Sequence, residues 1–81
     1  MTYISTFFSH FGAVAWKRFC DTHKMPARMM PVPRSLSSSC GTCVRWEGEE
    51  LPPQATSAEE VEQVVELADQ GYVWLYRAQG S

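Results

Sequence analysis

Two cysteines separated by two residues are the clearest chemical feature of this sequence. Cys40 and Cys43 form a Cys-x-x-Cys pair within residues 31–45, a stretch rich in small polar residues. A thiolate is both a nucleophile and a metal ligand, so this pair is typical of sulfur transfer, redox exchange or metal binding. The stretch has too few apolar residues for a core element. We therefore expect residues 34–42 to form a loop that carries whatever chemistry the protein performs.

The residues around Cys40 are of types that can stabilise a negatively charged sulfur. The backbone N–H groups of a tight turn can converge on an anion, and a glycine supplies the positive φ that such a turn needs. Three consecutive serines precede Cys40, and two arginines flank the loop. We therefore expect a thiolate, a persulfide or a selenide on Cys40 to be stabilised here. The candidate binding residues are Arg34, Ser37, Ser38, Ser39, Gly41 and Arg45.

Other chemistries for this pair have weaker support. The thioredoxin motif begins a helix, whereas Cys43 begins a predicted strand, so a thioredoxin-like oxidoreductase is disfavoured. Zinc needs four ligands, and Cys20, His10 and His23 are not spaced as a second pair. A zinc site would therefore need two subunits that each contribute Cys40 and Cys43. The remaining alternative is two unreactive thiols, with Cys43 packed in the core and Cys20 packed as a small apolar residue.

Charge and composition exclude several classes of function. A net charge of −2 over 81 residues argues against nucleic-acid binding by phosphate neutralisation and against a polybasic membrane-surface protein. No stretch approaches the roughly 20 apolar residues that span a bilayer, and the N-terminus has no basic region typical of a signal peptide. Three cysteines are too few for a disulfide scaffold, so we expect a cytoplasmic protein with reduced thiols and no cofactor.

Hydrophobic patterning predicts the elements that must position the loop. Aromatic and β-branched residues predict a strand over residues 3–8, after which Ser9 is suited to cap a helix over residues 11–23. Short strands follow over residues 27–31, where Pro31 and the nearby Pro33 imply a sheet edge, and over residues 43–47.

A second helix is predicted after the connector of residues 49–56. Ser57 and Glu60 have the spacing of a capping box, and Gly71 is suited to the position after the helix. Apolar residues then recur at i, i+3, i+4 and i+7, the spacing of one helical face. These residues are Val61, Val64, Val65 and Ala68. A last strand is predicted over residues 72–77.

The predicted order β-α-β-β-α-β indicates an α+β ferredoxin-like sandwich, with a four-stranded antiparallel sheet and both helices on one face. We expect a single domain over residues 1–81, with its core in residues 3–77 and a frayed tail in residues 78–81. The opposite sheet face would have no cover, although its strands carry large aromatic residues. We therefore expect a homodimer or a partner protein on that face.

The chain also resembles a known family over residues 3–76. The likeness lies in the first strand and helix, in the strand of residues 26–31, and above all in Pro33-Arg34 followed by Leu36-Ser37-Ser38-Ser39-Cys40-Gly41. In these features it is similar to the selenium/sulfur carrier protein-like family. The resemblance implies a bacterial cytosolic protein, linked to selenium metabolism, that carries sulfur or selenium on Cys40. It further implies donor and acceptor proteins as partners, and a carrier rather than a turnover enzyme.

Three readings of function follow. In the first, Cys40 holds a persulfide or selenopersulfide, and attack by Cys43 releases the cargo and leaves a disulfide. In the second, the protein is a non-catalytic interaction module that binds a partner through the open sheet face, and the loop is structural. In the third, two subunits share a zinc ion.

Overall fold

The structure, a computed structural model, describes residues 1–78 and contains two helices and five strands. The first half of the chain alternates a strand, a helix and two strands, and the second half consists of a single helical turn and a β-hairpin. In chain order the elements are β1 Thr2–Phe7, α1 His10–Thr22, β2 Ala27–Pro31, β3 Thr42–Glu47, α2 Gln54–Ser57, β4 Val61–Ala68 and β5 Gly71–Arg77. The α+β class and the predicted strand β2 are confirmed.

All five strands form one antiparallel sheet in the order β2-β3-β1-β4-β5. β1 is central, and α1 packs on one face of the sheet. The predicted four-stranded ferredoxin-like sandwich with two helices is therefore wrong. The error lies in one segment, because residues 61–68 form a strand and not a helix.

The helical spacing of the valines in β4 arises from a β-bulge. Thr6 and Phe7 are adjacent in β1, but they pair with Gln63 and Val61, so Glu62 is an extra residue in β4. A bulge shifts the alternation of side chains by one position. Val61 and Val64 therefore both join the cluster under α1, although they are three residues apart.

The predicted capping box does not form either. Glu60 accepts a hydrogen bond from the hydroxyl of Ser9, far from Ser57 in the chain. Ser9 is the N-cap of α1, as predicted, and its Oγ accepts from the Gly12 N–H at 3.3 Å. Residues 61–65 are buried on both faces of the sheet, and valine favours such a strand.

Aromatic side chains dominate the core between α1 and the sheet. Tyr3 stacks on Trp46 with ring centroids 4.4 Å apart, and Trp16 of α1 meets Trp46 edge-on at 5.2 Å. The Trp46 indole N–H donates to Ser5 Oγ at 2.9 Å, so this fully buried ring keeps a polar partner. These contacts fix α1 against β1 and β3, and β3 carries one end of the cysteine loop.

The opposite sheet face is partly covered by the chain itself. The loop that follows β2 folds back over it, and Leu36, 3 % exposed, packs against Ile4, Cys43 and Val65. The expectation that this face has no cover is therefore wrong at its centre. Exposed apolar side chains remain on β5, at Val73 and Trp74 among others.

The end of the described chain is tied to the sheet. The Ala78 backbone N–H donates to the Glu62 carbonyl at 2.9 Å. The rest of the predicted frayed tail, residues 79–81, lies outside the described residues. No helix among residues 1–78 is long and apolar enough to cross a membrane.

Candidate functional site

The loop between β2 and β3 is closed at its base and held down at its centre. The Val32 N–H donates to the Gly41 carbonyl at 3.1 Å, which joins the two ends of the loop. The Leu36 N–H donates to the Pro33 carbonyl at 2.9 Å and forms a turn that directs Leu36 into the sheet. Leu36 therefore holds the centre of the loop against the sheet, immediately before the three serines.

Cys40 lies on the turn that leads into β3. Its Sγ accepts a hydrogen bond from the Thr42 N–H at 3.4 Å, and its thiol donates to the Thr42 carbonyl at 3.3 Å. Gly41, at φ +77°, has the left-handed conformation that was expected of it. Cys40 is partly exposed, whereas the other two cysteines are fully buried. A thiolate on Cys40 would keep the Thr42 N–H as its donor.

Cys43 has different surroundings, although it is only three residues away. It is fully buried beneath Leu36, and its thiol donates to the Pro31 carbonyl at 3.7 Å. Burial raises the pKa of Cys43 from 9.0 to about 11, and the nearby Cys40 adds to the shift. At neutral pH Cys43 is therefore held as the thiol, which is much less nucleophilic than the thiolate. In this conformation Cys43 is therefore a weak nucleophile.

The three serines are held mainly by two residues of the β4 bulge. The Ser39 N–H and Oγ donate to the two carboxylate oxygens of Glu62, at 3.2 and 2.8 Å. The Ser37 carbonyl accepts from Gln63 Nε2 at 2.6 Å. Ser38 Oγ accepts from the Cys40 N–H at 3.4 Å and lies 3.4 Å from the Phe7 carbonyl. The loop N–H groups at Ser39 and Cys40 are therefore already occupied and do not point at the Cys40 sulfur.

The two predicted arginines are not drawn to the cysteine. Arg34 and Arg45 are both exposed. Arg45 lies in β3 opposite Arg28 of β2 and Ile4 of β1. Within residues 1–78 no hydrogen bond or ion pair joins either arginine to Cys40.

Three residues of the site escape sequence reasoning: Thr42, Glu62 and Gln63. Glu62 and Gln63 fall in the segment predicted as a helix, where acidic residues resemble a solvent-exposed face. The signal that could have found Glu62 is its position with Gln63 between Val61 and Val64, because valine favours strands. A buried carboxylate needs donors, and the serine loop is the richest source of them.

A surface pocket of about 500 Å³ lies beside the loop, on the side of β4 and β5. Its walls are four serines of the loop together with Glu62, Gln63, Trp74 and Arg77. Cys40 is not part of the wall, although Ser39 immediately precedes it. Among residues 1–78 no group of three His, Cys, Asp or Glu side chains is placed to hold a metal ion.

These features define a small α+β domain that presents one accessible thiol on an anchored, serine-rich loop. Residues 2–66 match the model of the family described as "Putative Se/S carrier protein-like", and the chain belongs to this family. The matched residues include Cys40, Cys43, Glu62 and Gln63, and they end before β5. Searches of the curated proteins and of the solved structures gave no match.

Proposed function

We propose that this protein carries a sulfur or selenium atom on Cys40, as a persulfide or selenopersulfide, in the cytoplasm and in the service of selenium metabolism. The observation that supports this most is the difference among its three cysteines. Cys40 alone is partly exposed and receives a backbone N–H on its sulfur, whereas Cys20 and Cys43 are buried. The family to which the chain belongs is named for the same cargo.

Loading requires a donor that already carries the atom at the correct oxidation level. The Cys40 thiolate attacks the outer sulfur of a donor persulfide, the donor S–S bond breaks, and the donor leaves as a thiolate. A donor selenopersulfide reacts in the same way through its selenium. The Thr42 N–H would stabilise the Cys40 thiolate before this attack and after the cargo has left, because a hydrogen bond to the charged form favours it.

Unloading is proposed to use a thiol from another protein. The thiolate of the acceptor attacks the outer atom of the cargo, and Cys40 leaves as a thiolate without net oxidation. Release by Cys43 would instead leave a Cys40–Cys43 disulfide that a reductant must break. The burial and the raised pKa of Cys43 favour the external route. The partners are therefore one donor protein and one acceptor protein.

A transfer assay tests this proposal. The protein is first incubated with a cysteine desulfurase and radiolabelled cysteine, freed of small molecules, and then mixed with reduced acceptor. We expect label to reach the acceptor from the native protein and from Cys43→Ser, but not from Cys40→Ser. Equal transfer by Cys40→Ser, or transfer that is lost only in Cys43→Ser, would overturn the assignment.

A second candidate function, a protein-interaction module, is favoured by the edge strand β5. This strand pairs with β4 on one side only, contains no proline, and exposes Val73, Trp74 and Leu75. An edge of this kind can pair with an extended segment of a partner protein. If that is the function, Val73→Asp abolishes partner binding and Cys40→Ser does not. Sedimentation of the protein alone shows whether a second copy occupies the edge instead.

A further inference from the structure

The pocket beside the cysteine loop is lined by two oppositely charged side chains that do not form an ion pair with each other. Glu62 lies on the wall formed by β4, and Arg77 lies on the wall formed by β5. Among residues 1–78 no ion pair includes either of them. An acid and a base on the same pocket, apart from each other, are suited to a ligand that carries both charges.

Glu62 has the properties of a carboxylate with unused binding capacity. It is 8 % exposed and accepts three hydrogen bonds, from Thr6 Oγ1, Ser39 N and Ser39 Oγ. A carboxylate has about four acceptor positions, and two of these three bonds fall on Oε1. One position on Oε2 therefore remains open. The three donors are neutral, so the charge of this buried carboxylate has no cation against it.

Side-chain contacts hold the β5 side of the pocket. The Trp74 indole N–H donates to Gln63 Oε1 at 2.8 Å, and Gln63 is itself held by the Ser37 carbonyl. The Arg77 guanidinium lies 5.4 Å from the centre of the Trp74 ring, a cation–π contact. This contact leaves the N–H groups along the edge of the guanidinium free to bind a carboxylate. The pocket therefore carries an anionic group on its β4 side and a cationic group on the neighbouring β5 side.

We propose that this pocket binds a free α-amino acid in its zwitterionic form. The ammonium group donates to Glu62, the carboxylate accepts from Arg77, and the loop serines offer further polar contacts. Resting on the proposed function, the amino acid is one that bears sulfur or selenium in its side chain, such as cysteine. The pocket ends at Ser39, whose Cα is about 3.8 Å from that of Cys40. It would thus hold a second, small-molecule acceptor beside the carrier cysteine. The thiolate of this amino acid attacks the outer atom of the cargo, and Cys40 leaves as a thiolate.

The family match covers only part of this pocket, because Trp74 and Arg77 lie in β5, beyond the matched residues 2–66. The serine wall, Glu62 and Gln63 lie within the match. The selectivity for a carboxylate is therefore assigned to a strand of this chain outside the match.

The experiment measures binding of three ligands to the Cys40→Ser protein in reducing buffer. L-cysteine carries both charges, cysteamine keeps only the ammonium, and 3-mercaptopropionate keeps only the carboxylate. Titration is followed by calorimetry and by the NMR signals of the Trp74 indole N–H and the Ser39 amide. We expect L-cysteine to bind at least about tenfold more tightly than either analogue, the range for loss of one charged hydrogen bond.

The variant Arg77→Gln separates the two charges, and because Arg77 is exposed, we expect this variant to fold. This variant should bind L-cysteine and 3-mercaptopropionate about tenfold more weakly and should bind cysteamine with unchanged affinity. No binding of L-cysteine up to about 10 mM, or equal binding of L-cysteine and either analogue, overturns the proposal. Because the tested protein has no Cys40 thiol, failure here leaves the carrier function standing, and failure of Cys40 to load leaves this pocket standing.

Discussion

Cys40 and Cys43 are three positions apart in the sequence, but they differ in exposure and are expected to differ in reactivity. The turn at Gly41 leaves Cys40 at the surface, with the Thr42 N–H on its sulfur. The next strand residue, Cys43, is buried under Leu36. The Cys-x-x-Cys spacing alone does not show which thiol is reactive. The burial of Cys43 in the folded protein distinguishes it from Cys40.

This difference predicts the order in which the thiols react. Cys40 should be alkylated by iodoacetamide at neutral pH, whereas Cys43 and Cys20, whose pKa values burial raises to about 11, should react only in alkaline solution. Peptide mass spectrometry after short exposures across pH measures each site separately. In urea-unfolded protein the three sites should react alike. Alkylation of Cys43 as fast as Cys40 at pH 7 in the folded protein would contradict this account.

Gly41 is predicted to be important for its backbone and not for the space around it. A Cβ built at this position meets nothing within 4 Å, but its φ of +77° is unfavourable for other residues. Gly41→Ala should destabilise the protein by about 1 kcal/mol and change Cys40 reactivity. Gly41→Asn is the matched control, because asparagine tolerates this conformation, and it should cost less. Equal unfolding free energies for the two variants in urea would refute this explanation.

Among the elements, strand β4 both adds to the five-stranded sheet and holds the serine loop of the candidate site. Its bulge at Glu62 brings Glu62 and Gln63 to the serine loop. The same bulge places Val61 and Val64 on one face at helical spacing. The feature that misled the helix prediction is therefore the one that anchors the loop, in agreement with the tendency of bulges to occur beside functional sites.

The loop is predicted to depend on Leu36. Leu36→Ala would remove a buried side chain from its contacts with Ile4, Cys43 and Val65, and should cost about 3 kcal/mol of unfolding free energy. Leu75→Ala is the control, because Leu75 is 40 % exposed, and it should cost well under 1 kcal/mol. Leu36→Ala should also speed alkylation of Cys43. If Cys43 stays as protected as in the native protein, the loop does not shield it through Leu36.

Across the whole molecule, the sequence predicts those elements whose structure depends on neighbouring residues. The cap at Ser9, helix α1, strand β2 and the last strand all follow from residues within a few positions of one another. The Ser39–Glu62 contact joins residues 23 positions apart, and neither segment alone predicts it. The cover of the second sheet face by Leu36 was missed for the same reason.

The two buried thiols should make the stability of the whole molecule depend on alkaline pH. The folded-state pKa values of Cys20 and Cys43 lie above the ordinary 9.0, so the folded protein holds these protons more tightly than the unfolded chain does. Their contribution to stability is complete below pH 9 and is lost as pH rises towards 11. Urea unfolding should show this decline, and Cys43→Ala should show a shallower one. An equal slope in both proteins would contradict the burial of Cys43.

The central claim is that Cys40 carries the cargo, and mapping the added atom tests it most directly. The native protein is incubated with a persulfide donor, trapped with an alkylating reagent and analysed by peptide mass spectrometry. The account predicts the mass of one added sulfur atom on Cys40, none on Cys20 or Cys43, and the same result for Cys43→Ser. An added sulfur on Cys43, or none on Cys40 when its thiol was free beforehand, would contradict it.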